Sequence, residues 1–502
     1  MNTIGNETKG PQQEKDRRLA WAWLAVGFIL FPFTIVQTVI PLAAWFAPVF
    51  FLRFERTSGR KWITLLLIFA AYVIGAGIAV RSLSVSIFPL IVTVFRSLVY
   101  TLPYLADQRI ASRLKGWARL LVFPLAFAVV DWAASPLKSV ATSWSPAYSQ
   151  VANLSVVQII SITGLSGLTF LIMWFASTVN ALWEKRFDWR LVKQYVGFFV
   201  VALAGVVLFG SLRLDFAPPS SPTIQAATVT VDSGLMAEAI GAVDWRTFNR
   251  STEAERAAVR PKFQAMTEQM LARTETALNG GAKIVGWEES APFVLEEDKQ
   301  GLLDRAAALA RKYDAYLQIS PFVFTHTTKL PYVRNQSILI DNTGRVAWTY
   351  DKTYPVPGGE AFIVIAGPGR LPVADTPYGR MSTAICYDLN FPTLLRQAGR
   401  GRVDALIAPY DEIRPFDQQP AAISRAIENG FSMIRPTGNG VSLIIDYQGR
   451  VLGSRNYFTD KTGIMLSGLP TRGVRTIYSR IGDLFAYLCI AALALLAVLA
   501  SL

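Results

Sequence analysis

The chain has 502 residues, 52% of them hydrophobic and 17% charged, with mean hydropathy +0.33 and formal net charge +13. That balance excludes an ordinary soluble protein and calls for long segments that partition into lipid. No nucleic-acid partner is expected from the positive charge, because the lysines and arginines cluster beside apolar runs, as they do in cytoplasmic loops of membrane proteins.

In chain order, residues 1–18 form a polar tail carrying Lys9, Lys15, Arg17 and Arg18, expected in the cytoplasm. The next charge is Arg53, and the uncharged run 19–52 is too long for one span of about 20 residues. It reads as two short helices parted near residues 37–41. No small-residue cleavage site marks the first as a signal peptide. Runs at 62–80, 85–105, 120–134, 156–182 and 196–212 complete seven helices in a membrane domain over 19–212, and 484–502 makes an eighth.

Loop charges alternate along these helices. One side collects the tail, then Arg53, Arg56, Arg60 and Lys61, then Arg109, Arg113, Lys115 and Arg119, then Lys185, Arg186, Arg190 and Lys193. The other side holds little more than Arg81 and Lys138. The positive-inside rule then places both termini in the cytoplasm and the region between the seventh and eighth helices outside. Arg472, Arg475 and Arg480, just before the last helix, pull mildly against this. Arg96 and Asp131 fall inside apolar runs, where a charge is costly and is expected to face protein, a lipid headgroup or a water-filled cavity. Trp144 and Tyr148, between the fifth and sixth helices, suit the outer interface.

Residues 213–222, with Pro218, Pro219 and Pro222, form a stiff linker. The domain 223–480 then alternates. Strands are expected at 223–231, 283–287, 315–325, 336–341, 345–350, 382–387, 405–408, 432–435, 441–446 and 451–452, and helices at 254–278, 298–313, 393–397 and 419–429. Asn342-Thr343-Gly344 and Gln448-Gly449 mark hairpins. Strands alternating with helices, plus hairpins, indicate an α/β layered sandwich.

Only two cysteines are present, Cys386 and Cys489, and the second lies inside the last apolar run, so no disulfide is expected. The single histidine, His326, excludes a His-rich metal site and weakens any Cys–His dyad. Cys386 ends an apolar strand just ahead of a helix start at Phe391-Pro392, a place where a nucleophile is held rigidly yet meets substrate. Glu289 and Lys352 also stand at or just past strand ends. Taken singly, the thiol reads as packing and the two charges as loop residues. Together they make one chemistry: a carboxylate as general base, an ammonium to stabilise thiolate and oxyanion, and a thiol to carry an acyl group, with no metal or cofactor.

The same three stretches resemble the nitrilase superfamily, whose members use a Glu–Lys–Cys triad on an α-β-β-α sandwich. Trp287-Glu288-Glu289-Ser290-Ala291 is similar to the family's Trp-Pro-Glu-Ser-Ala, with Glu288 in the proline's place. Lys352 and Glu360 fit its Lys-x-x-x-Val-Pro-x-Gly-Glu element, with Gly358 where an aromatic is usual. Cys386-Tyr387-Asp388 resembles Cys-Tyr-Glu, and Arg425-Ala426-Ile427-Glu428 resembles Arg-Ala-x-Glu. The resemblance makes Glu289, Lys352 and Cys386 catalytic, and Glu360, Tyr387 and Asp388 supporting.

Eight membrane helices with the sandwich between the last two are similar to the apolipoprotein N-acyltransferase family, bacterial membrane enzymes of lipoprotein maturation. That resemblance implies a phospholipid acyl donor, a thioester on Cys386, and the α-amine of a diacylglyceryl-lipoprotein as acceptor, with the protein in the inner membrane. A membrane-tethered amidase, and a lipid-binding or transport protein with an inactive domain, are the competing readings. Pro409-Tyr410-Asp411-Glu412-Ile413-Arg414 stands where the family has Asn-Asp-x-Trp-Phe, and residues 231–245 depart from its usual pattern. Trp245 is a candidate for a functional tryptophan there.

Overall fold

Long uncharged runs leave the backbone one way to satisfy its polar groups in lipid, the helix. A computed structural model describes residues 11–35, 38–80, 87–138, 141–412 and 419–502. Long helices run over Pro11–Leu30, Pro41–Thr57, Lys61–Ala79, Ile87–Arg109, Gly116–Ala134, Leu165–Glu184 and Trp189–Phe216, and Leu484–Ser501 ends the chain. Among the described residues, six helices are long and apolar enough to cross a membrane: those at Lys61–Ala79, Leu90–Arg113, Gly116–Ala134, Leu165–Glu184, Trp189–Phe216 and Leu484–Ser501. Two of these bury little inside the protein, 11% for Trp189–Phe216 and 17% for Leu484–Ser501, so their apolar faces are open to lipid. The first helix starts at Pro11, inside the stretch read as a polar tail. Residues 1–10, Gln37, Arg81, Ile413 and Arg414 lie outside the described residues.

One expected span divides. The run 156–182 is not one helix: short turns Leu154–Val157 and Ile160–Thr163 precede Leu165–Glu184. Gly164 makes the break at φ +65°, and a Cβ there would meet the Tyr478 ring at 2.5 Å. Glycine is required both for the left-handed turn and for the close approach of the sandwich domain. The periodicity of apolar residues carries no sign of that contact.

Beyond the Pro-rich linker two sheets stack. In the first, the order is Ile464–Pro470, Thr223–Val229, Ile284–Trp287, Tyr316–Ile319, Val333–Ile340, Phe322–Phe324, Phe293–Leu295, with Val346–Asp351 also paired to Val333–Ile340. In the second it is Val451–Asn456, Val441–Ile445, Ser432–Arg435, Ala405–Ile407, Gly379–Thr383, Val373–Thr376. Each sheet has a parallel trio: Thr223–Val229 with Ile284–Trp287 and Tyr316–Ile319, and Gly379–Thr383 with Ala405–Ile407 and Ser432–Arg435. Alternation along a strand sorts side chains between layers. Ile284 joins the core shared with the second sheet, whereas Val285 packs with Phe263, Met266 and Met270 of the helix Glu253–Asn279. Helices Pro392–Arg400 and Gln419–Asn429 contribute Leu395 and Ile427 to the other core. That core continues without a break into the membrane helices at Leu168 and Ile172.

The expected strand 315–325 is two, Tyr316–Ile319 and Phe322–Phe324, because Pro321 has no N–H for the ladder. Phe293–Leu295, Val373–Thr376, Ile464–Pro470 and the helix Ser233–Gly241 were not legible from periodicity. The strand expected to reach Tyr387 stops at Thr383, and Cys386–Asn390 is a 3-10 turn.

Candidate active site

Parallel strands point their C-terminal ends the same way, so residues just past those ends meet. Glu289 follows Ile284–Trp287, Lys352 follows Val346–Asp351, and Cys386 follows Gly379–Thr383 by three residues. All three are buried, with Glu289 4%, Lys352 1% and Cys386 7% exposed.

Lys352 Nζ donates to Glu289 Oε1 at 2.7 Å and to Glu360 Oε2 at 2.6 Å. Asn335 Nδ2 donates to both carboxylates, at 2.8 Å each. The backbone N–H of Asp411 reaches Glu289 Oε2 at 3.0 Å, and that of Val356 reaches Glu360 Oε2 at 3.0 Å. Two carboxylates therefore share one ammonium and one amide. Burial alone would lower the Lys352 value, but Glu289 and Glu360 outweigh it and hold the ammonium well above the usual lysine range. Lys352 is a fixed cation here.

Cys386 begins the turn at φ +47°, a left-handed conformation rare for a residue with a side chain. Its N–H donates to Pro409 O at 2.9 Å, and its Sγ lies 3.8 Å from Asp411 O. Burial, and then the Glu289 charge, push the thiol well above its ordinary value, against the pull of Lys352. The resting group is a neutral thiol facing a carboxylate, so attack needs a base at the moment substrate arrives.

Of the supporting residues, Glu360 lies in the charge cluster as described. Asp388 spends both carboxylate oxygens on the turn and the residues around it. It accepts from Ile385 N at 3.0 Å, Tyr350 OH at 2.7 Å and Tyr354 N at 2.8 Å, and so holds the turn; burial pushes it up to about 6. Tyr387 OH donates to Lys138 O at 2.8 Å, across to the membrane region. Trp245 packs among Phe293, Phe322 and Phe324. Arg96 lies over Trp144 at 4.9 Å and donates to Tyr100 OH at 3.1 Å, while Asp131 accepts from Tyr100, Ser145 and Thr169 at 2.7, 2.6 and 2.8 Å.

Sequence reasoning missed Asn335 and Asp411. Asn335 is fully buried in the strand Val333–Ile340, and a polar amide inside an apolar strand is the signal that could have found it. Asp411 is pushed up to about 6 by burial and by Glu289, and accepts from Asn439 Nδ2 at 2.8 Å.

A stacked α/β sandwich that gathers a carboxylate, an ammonium and a thiol at its strand ends is of the carbon–nitrogen hydrolase class. Residues 252–469 match the family described as Carbon-nitrogen hydrolase, and residues 25–178 match the Apolipoprotein N-acyltransferase N-terminal domain. The Apolipoprotein N-acyltransferase of Geobacter metallireducens is 26% identical over 418 residues, 77% of this chain and 75% of that one. That of Bradyrhizobium diazoefficiens is 26% identical over 421 residues, 76% and 74%. The crystal structure of an amidase from Nesterenkonia sp. aligns with 17% identity and a TM-score of 0.41, covering 53% of this chain and 95% of that one. The two domain matches, together with relatives aligned over about three quarters of the chain, support an apolipoprotein N-acyltransferase in the nitrilase superfamily.

Proposed function

We propose that this chain N-acylates lipoproteins by a two-step exchange in which Cys386 carries the acyl group. The observation that carries the reading is the buried meeting of Glu289, Lys352 and Glu360 with a neutral Cys386 thiol, in a chain whose N-terminal part belongs to the acyltransferase family. In the first step Glu289 takes the thiol proton as Sγ attacks the ester carbonyl of a phospholipid. Lys352 faces the oxyanion that forms. The C–O bond breaks, the leaving alkoxide takes the proton from Glu289, and lysophospholipid departs. In the second step the α-amine of a diacylglyceryl-cysteine attacks the thioester and gives its proton to Glu289. The C–S bond breaks and the thiolate recovers that proton. Glu360 and Asn335 hold Lys352 and Glu289 in place throughout.

Eight crossings, both termini in the cytoplasm and the sandwich 223–480 on the outer side of the bacterial inner membrane complete the proposal; the alternation of Lys and Arg between loops supports it. Purified protein incubated with labelled phospholipid, then with a lipopeptide, tests the chemistry. Mass spectrometry is expected to find one acyl chain on Cys386, removed by the lipopeptide, and none in Cys386→Ala with an unchanged thermal midpoint. Transfer that persists in Cys386→Ala would overturn the thioester. Release of free fatty acid with no lipopeptide product would favour a hydrolase.

A further inference from the structure

The nucleophile turn is not held by its own domain alone. A 3-10 turn leaves carbonyls without partners inside the turn, and a buried carbonyl needs a donor. Leu389 O accepts from Arg425 Nε at 2.9 Å. Asn390 O accepts from Thr142 Oγ1 at 2.8 Å and from Thr142 N at 3.3 Å. Thr142 lies in the segment between the helices Gly116–Ala134 and Leu165–Glu184. Tyr387, next to the thiol, is tied to the same segment through Lys138 O.

Arg425 joins these contacts. It is fully buried, its Nη1 pairs with Glu428, and its Nη2 donates to Tyr148 OH at 2.8 Å and Thr142 Oγ1 at 3.3 Å. Thr142 and Tyr148 hydroxyls are 2.7 Å apart. Glu428 in turn accepts from Leu165 N at 3.1 Å, the first residue of the next membrane helix. Behind Thr142, Ser145 N donates to Thr142 O at 2.9 Å, and Ser145 Oγ is fastened to the buried Asp131. Three separate nitrogens of one guanidinium are used, on four groups, which a lysine ammonium cannot reproduce.

We propose that Arg425 and Thr142 are positioning residues that clamp the Cys386–Asn390 turn to the outer segment of the membrane region. The strained backbone at Cys386 persists because its surroundings over-determine it. Part of those surroundings, Lys138, Thr142 and Tyr148, comes from the segment between two membrane helices. The membrane region is thus part of the catalytic geometry, beyond its role as an anchor: the sandwich holds the start of the turn through Asp388 and Pro409, and Thr142 holds its end at Asn390.

This inference rests on Cys386 as nucleophile. The test is single-turnover thioester formation on Cys386, followed by transfer to lipopeptide, with the full chain in phospholipid nanodiscs at a temperature well below each variant's midpoint. Thr142→Val keeps the shape and removes only the hydroxyl, and is expected to lower kcat by about 10-fold with KM unchanged, the scale of one buried hydrogen bond. Arg425→Lys is expected to lower it by about 100-fold, again with KM unchanged, and Tyr148→Phe by about 3-fold. Wild-type thioester rates in Thr142→Val and Arg425→Lys, whatever their thermal midpoints, would reduce the clamp to packing. Transfer surviving in Cys386→Ala would sink the thioester reading instead, so the two failures are told apart.

Discussion

Among the described residues of the sandwich, two buried charge clusters differ in their balance. At the proposed active site, one ammonium, Lys352, serves two carboxylates, Glu289 and Glu360. At the seam with the membrane helices, one guanidinium, Arg425, serves one carboxylate, Glu428. Both sets are nearly or fully closed to solvent, and both are satisfied by hydrogen bonds. The first has one carboxylate more than it has cations, with a thiol beside it, so a proton has somewhere to go. The second matches one carboxylate to one guanidinium, whose remaining donors go to a carbonyl and two hydroxyls. Burial and ion pairing alone therefore do not mark a reactive site. What sets the proposed site apart is the uneven count of charged groups beside a thiol.

The comparison breaks most visibly at Glu289. Glu289→Gln keeps an acceptor for Lys352 and Asn335 but removes the base and the acceptor for the Asp411 N–H, so single-turnover thioester formation, read below the variant's thermal midpoint, is expected to fall by about 100- to 10,000-fold. A rate within tenfold of wild type would mean that the excess carboxylate is not the base. Glu428→Gln is the matched change at the seam. It leaves Arg425 charged and buried without its counterion, and denaturation is expected to show a loss of about 3–5 kcal/mol. Should this variant keep its stability, the seam pair is not what holds the two regions together.

Asp411 sharpens the contrast through pH. Its folded value, raised to about 6 mainly by burial, lies above its unfolded one, so the folded state binds the proton more tightly. Any stability from this group is present below about pH 4 and is lost as pH rises through about 6. Asp411→Asn is therefore expected to stabilise the protein at pH 8, by about 1–2 kcal/mol after allowing for partial exposure, and to change nothing at pH 4. Thermal midpoints of the two proteins across pH 4–8 would check it, and parallel curves would refute it. The smallest effect belongs to an exposed pair. Arg305 and Glu268 bridge at 2.5 Å on two surface helices, 48% and 61% exposed, and Arg305→Ala is expected to cost less than about 1 kcal/mol with transfer unchanged.

Much of this was legible in the residues themselves. The apolar runs give the helices, because a backbone in lipid has no other partner for its polar groups. The order of strands and helices gives a layered sandwich. Glu289, Lys352 and Cys386 were candidates because all three follow apolar strands and together make one chemistry, and the resemblance to the nitrilase motifs singled them out. Asn335 was hidden at the edge of a strand read as beginning one residue later, and Asp411 in a loop that departs from the family pattern. The break at Gly164 was hidden too, since its cause is the ring of Tyr478, more than 300 residues away.

Sequence alone, then, determined the partition between lipid and water, the secondary-structure grammar and the kinds of chemistry available, because these depend on composition and on neighbours along the chain. Only the tertiary structure decided that two carboxylates share one ammonium, that Asp388 braces the turn, and that Thr142 and Arg425 hold its end. These are contacts between distant segments, fixed by how sheets stack and how the membrane helices meet them, and local periodicity carries no record of such meetings.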